Sequence, residues 1–155
     1  MALPVSLKEV AGELQGLPTE ATAYINRRTG KLSFLSDEMK REVEQAEEAS
    51  DVSGWMADLY PDLNELLESD DWLELPLARE INDYSIMRNF CKSRSDHDES
   101  ITLLRAIKGR GAFRRFKQLA HELDVIDEWY AYELAAYKQI AADWLDAREI
   151  PYVDE

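Results

Sequence analysis

Apolar positions in the first half of the chain switch between helical and extended spacing, whereas the second half keeps a helical period. Ser6-Leu7-Lys8-Glu9 has the form of a capping box, in which the Ser6 hydroxyl and the Glu9 carboxylate satisfy each other's orphan amides. Leu7, Val10, Ala11 and Leu14 then share one face, and Gly16 with Pro18 stops the helix. In residues 21–35, Tyr24-Ile25 and Leu32-Ser33-Phe34-Leu35 flank Arg28-Thr29-Gly30-Lys31. That pattern predicts a hairpin whose turn takes its positive φ at Gly30. Ser36 predicts the cap of a polar helix running to about Ala49. Trp55, Leu59, Leu63, Leu66 and Leu67 mark an amphipathic helix that is interrupted or restarted at Pro61. Trp72-Leu73-Glu74-Leu75-Pro76 is short and alternating, the form of a third strand for the hairpin.

Beyond this point every element reads as helix. Over residues 82–94, Tyr84, Ile86, Met87, Phe90 and Cys91 span a wide apolar arc, which predicts a deeply buried helix. A short helix over 100–108 ends at Gly109, another covers 112–123, and the last and longest covers 126–148. The expected fold is α+β and mostly α: a small N-terminal β-hairpin or three-stranded sheet packed on a C-terminal helical bundle. A single domain over 1–155 is expected, with residues 1–78 as its acidic part and 79–150 as its helical part.

Charge changes this picture. The chain has 155 residues and a formal net charge of −14. Residues 37–74 hold fourteen Asp or Glu against Lys40 and Arg41, which makes that stretch −12. Residues 105–117 run the other way, with six basic side chains and no acidic one, so the rest of the chain carries −20. The single cysteine, Cys91, has no internal disulfide partner and fits a reducing compartment. The N-terminus lacks the pattern of a signal peptide and no apolar run is long enough to span a membrane, so a cytoplasmic protein without membrane contact is expected.

At about 100° per residue, Phe113, Phe116, Ala120 and Leu123 share the face expected to enter the core. Arg114, Lys117 and His121 line up beside it, Arg110 joins them if the helix begins that early, and Arg115 points toward the side of Glu122. Gly109-Arg110-Gly111 lets the backbone approach a partner just before a helix N-terminus, where free amides favour anions. Two readings stand side by side. In one, Arg110, Arg114, Lys117 and His121 form a site for phosphate, carboxylate or nucleic acid, using guanidinium forks and the helix start. In the other, they latch internally onto the acidic 37–74 segment or the last helix.

Tyr84-Ser85-Ile86-Met87 with Phe90, the string from Ala106 to Lys117 that contains Gly-Arg-Gly-Ala-Phe-Arg-Arg-Phe, and Trp129-Tyr130 with Ile140-Ala141 and Trp144 carry a resemblance. Over residues 75–147, and more loosely around Asn26 to Gly30, the chain resembles a bacterial family known as uncharacterised protein family number 0158. Gln118 stands where the resemblance implies Asp. The resemblance implies a bacterial cytoplasmic protein and carries over no catalytic residue.

Glu133 falls in the middle of the apolar arc of the last helix, which is formed by Ile126, Trp129, Tyr130, Tyr137, Ile140, Ala141 and Trp144. A carboxylate there is costly to bury unless paired or protonated, so it is expected to meet an arginine of the island or to act as a general acid or base. Asp96-His97-Asp98-Glu99 reads as a solvated helix entry rather than a metal site, because neighbouring loop side chains rarely converge on one ion. Cys91 reads as a core thiol. The acidic segment is either a solubilising face or a docking surface for a basic or nucleic-acid-binding protein, with Trp55, Tyr60 and Trp72 as candidate anchors. No metal, cofactor or complete catalytic motif is indicated. The expected function is a non-catalytic interaction or regulatory module, with phosphate-ligand or nucleic-acid binding as the alternative.

Overall fold

A computed structural model describes residues 3–155. The fold is α+β and mostly α, as the sequence pattern predicts. It divides into two compact units: residues 3–80 with 141–155, and residues 81–140.

In the first unit, β1 (Val5–Ser6) leads directly into α1 (Leu7–Gly16). The Ser6 hydroxyl accepts from the Glu9 amide at 3.3 Å, and Leu7, Val10, Ala11 and Leu14 are buried. β2 (Ala21–Asn26) and β3 (Leu32–Ser36) form the expected hairpin, and β4 (Trp72–Glu74) adds antiparallel to the other side of β2. β2 is therefore central, which is why residues 21–25 are all buried. In the turn, the Asn26 side-chain oxygen accepts from the amides of Arg28 (2.9 Å) and Thr29 (3.1 Å), and Gly30 takes a φ of +76°.

α2 (Asp37–Gln45) is capped by Ser36 as expected but stops four residues short of Ala49. The Asp51 carboxylate accepts from the amides of Glu47 (2.9 Å) and Glu48 (3.1 Å), giving those donors a partner outside the helix. Glu42 then takes both the amide (3.1 Å) and the hydroxyl (2.7 Å) of Ser53, which pins the following turn. α3 (Tyr60–Glu68) carries Pro61 in its first turn, where it is tolerated because a first-turn amide has no helical partner. Leu35, Val43, Val52, Met56, Tyr60, Leu63 and Leu66 pack around Tyr24 as one core. The sequence pattern misses one pairing: β5 (Tyr152–Val153) lies parallel to β1, with Val5 opposite Tyr152.

The second unit contains α4 (Asp83–Ser93), α5 (His97–Ala106), α6 (Ala112–Glu122) and the part of α7 (Ile126–Ala147) up to Ile140. α5 starts at His97 rather than near Ser100, because the Asp96 side chain caps it by accepting from the Glu99 amide at 3.1 Å. The core is aromatic. Phe90 packs edge-on against Phe116 (5.9 Å between centroids) and Trp129 (5.4 Å), and Phe116 against Trp129 (4.9 Å). Met87, Cys91, Leu103, Ile107 and Ala112 complete it. α4 is less deeply buried than its composition predicts, since Tyr84 is exposed and Ile86 half-buried.

Candidate anion-binding face

The face begins where α5 ends. Gly109 and Gly111 take φ of +79° and +75°, so the chain reverses within five residues and starts α6 at Ala112. Two side chains hold the reversal. The Tyr84 hydroxyl donates to the Ile107 carbonyl at 3.0 Å. Arg115, one turn into α6, reaches back: Nε donates to the Ala106 carbonyl at 2.8 Å, and its terminal nitrogens donate to the carbonyls of Lys108 and Arg110. The guanidinium thus closes one carbonyl at the end of α5 and two in the loop that follows it. Space is tight on the inside of the turn, where a Cβ on Gly111 would sit 3.2 Å from Arg115 Nη1.

With Arg115 committed to the backbone, the other cations are turned to water. Arg110, Arg114, Lys117 and His121 are all exposed, as are Arg105 and Lys108. Among the described residues, Arg110, Arg114 and His121 form no ion pair. Arg115 closes on main-chain oxygens of the preceding loop, an inward contact different from the expected latch onto the acidic segment or the last helix. The four residues singled out for the stripe are the outward ones, but α6 begins at Ala112 after a left-handed Gly111, so Arg110 precedes the helix instead of joining its row.

Phe113 corrects the predicted helix face. The buried arc of α6 is Ala112, Phe116 and Ala120, spaced four apart, and Phe113 lies about 100° from Ala112 around the axis. It is 42% exposed, and Leu123 at the helix end is exposed as well. Phe113 adjoins Arg114 in sequence and lies one turn before Lys117. Sequence reasoning missed Phe113 and Arg115 because each matches an ordinary role, a core aromatic and a surface arginine.

Glu133 is half-buried on α7. Burial pushes its carboxyl above the ordinary range, Lys117 opposes that shift, and Asp83 adds to it. Lys117 is thus the island residue whose charge reaches Glu133. Nearby, the Tyr137 hydroxyl donates to Asp83, and burial followed by that bond raises the phenol. Tyr130, expected in the same apolar arc, is exposed.

Of the three docking candidates on the acidic segment, Tyr60 is 9% exposed and belongs to the core, and Trp72 packs half-buried against that core. Trp55 alone of the three projects, at 65% exposed. Asp96 caps α5, and Glu99 holds Arg94 at 2.6 Å, so the 96–99 cluster is engaged structurally. Among the described residues no group of three or more His, Cys, Asp or Glu is placed to hold a metal ion. Cys91 is fully buried, and burial pushes its thiol up to about 11. Among the described residues no helix is long and apolar enough to cross a membrane.

No curated protein and no solved structure matches the chain. A family model does match, over residues 14–155, and it takes in the hairpin, the reversal at Gly109-Arg110-Gly111 and the whole of α6 and α7. The chain therefore belongs to the uncharacterised protein family UPF0158.

Proposed function

We propose that this chain is a non-catalytic interaction module that takes a phosphate-bearing polyanion along Arg110, Arg114, Lys117 and His121. The carrying observation is that Arg110, Arg114 and His121 reach water without an ion pair while Arg115, in the same segment, is spent on the backbone. Cations left exposed cost little in isolation, and a run of them along a helix and the loop before it gains most from a partner with repeating negative charge. The −20 carried by the rest of the chain is screened over about 8–10 Å at physiological salt, so a ligand that stays on the stripe feels it least.

Calorimetric titration with inorganic polyphosphate tests this reading. Wild type binds, and log K falls with log salt at a slope near −2, from about 0.7 for each of three permanent cations. Arg110→Ala combined with Arg114→Ala removes about two thirds of that slope. No binding by wild type, or wild-type binding by the double variant, overturns the reading.

Trp55 supports a second reading. It stands exposed within the segment 37–74, which is suited by charge to a basic protein partner. Trp55→Ala would then abolish capture of a cationic peptide such as oligolysine flanked by apolar residues; unchanged capture removes this reading.

A further inference from the structure

We infer that the polyanion is a single-stranded nucleic acid, with its phosphates on Arg110, Arg114 and Lys117 and a base stacked on Phe113. This rests on the reading above and sharpens it. A site for phosphate alone has no use for an exposed phenyl ring. Phe113 is nonetheless 42% exposed on the helix that carries the cations, beside Arg114 and one turn from Lys117. Cations that follow a backbone and an aromatic ring that offers its face to a base are the two components of sequence-tolerant single-strand binding.

The dimensions and the surrounding charge agree. Within α6 the stripe runs from Arg114 to His121, about 10 Å, the length of about three phosphate spacings along one stacked strand. The stripe is also narrow. A duplex presents two charged strands and a wide polyanionic cylinder to a molecule that is strongly acidic outside residues 105–117. A single strand can lie along α6 alone. With Arg114 and Lys117 given to phosphates, little is left on the helix for reading base edges: Gln118 is its one amide side chain, and it is bonded to Glu122 at 3.4 Å. Binding tolerant of sequence is therefore expected.

The test is fluorescence anisotropy with labelled twelve-nucleotide oligo-U and oligo-dT, a twelve-base-pair duplex, and inorganic polyphosphate as competitor. It is run at 50 and 200 mM salt on wild type, Phe113→Leu and the Arg110→Ala/Arg114→Ala double variant. Single strands should bind more tightly than the duplex. Phe113→Leu should weaken them by about 5- to 150-fold, the effect of removing one stacked base, and should leave polyphosphate affinity unchanged. The exposed position of Phe113 lets the variant fold, which circular dichroism checks. If polyphosphate binds but Phe113→Leu changes nothing, or if the duplex binds better than the single strands, the single-strand inference is wrong and the polyanion reading stands. If polyphosphate and the oligonucleotides all fail to bind, both are wrong.

Discussion

Arg114 and Arg115 are adjacent, identical in chemistry and opposite in surroundings, so replacing each with alanine isolates what the guanidinium of Arg115 does. Arg115→Ala removes three bonds to main-chain carbonyls. The bond to Ala106 is partly buried, and as a charge-assisted bond it contributes about 1.5 kcal/mol. The bonds to Lys108 and Arg110 are exposed, so water replaces them at a cost of about 0.5 kcal/mol each. The expected loss is about 2–3 kcal/mol, which for a chain of this length lowers the thermal midpoint by about 5–10 °C. Arg114→Ala changes the same net charge at an exposed position and should stay within about 0.5 kcal/mol of wild type. Arg115→Lys, with one ammonium where three carbonyls need donors, should recover less than half of the loss. Urea unfolding followed by far-ultraviolet circular dichroism measures all three variants, and hydrogen exchange at amides 106–112 locates the effect. If Arg114→Ala and Arg115→Ala destabilise equally, the guanidinium does not hold the reversal and the division of the basic segment into inward and outward cations collapses.

Three further outcomes follow from the same geometry. Gly111→Ala forces a Cβ into a left-handed conformation and to 3.2 Å from Arg115 Nη1; a destabilisation of about 1–2 kcal/mol is expected in urea, and none would mean the turn can relax. The Cys91 thiol is raised from 9.0 to about 11, so the unfolded chain ionises there first and stability falls by about 2–3 kcal/mol as pH climbs through that window; Cys91→Ala should flatten the loss in alkaline melts. Glu133 is raised as well, so its stabilising contribution is complete at acid pH and is lost as pH rises through its folded value. Glu133→Gln should therefore melt higher than wild type at pH 7 and converge with it near pH 4, and parallel pH profiles would refute the burial argument.

Local signals in the sequence located most of the elements, because caps, turns and periodicity are short-range. Ser6 and Ser36 cap helices through their side chains as read, and Gly30 takes the positive φ its turn requires, whereas the cap at Asp96 was not recognised and α5 was started too late. What else escaped was set by contacts distant in sequence. Two-residue β1 and β5 carry no period of their own, and only their pairing across the chain makes them strands. Phe113 and Tyr130 stay exposed where Phe90, Phe116 and Trp129 fill the second unit's core, and Tyr60 is buried in the first unit's core around Tyr24. The basic stripe itself was legible, since its residue types and spacing sufficed. Its division at Arg115 was not, because the partners are backbone oxygens of the preceding loop, which no side-chain pattern announces.

The pairing of Val5 with Tyr152 has a consequence for synthesis. Residues 81–140 are continuous in the chain, so every contact inside that unit is available once this one stretch has left the ribosome. The other unit is discontinuous, and its first strand must stay unpaired until residues 152–153 arrive. The helical segment bearing the cations can thus mature on the nascent chain while the acidic unit is still open, and the arrival of residues 152–153 is the event that lets it close.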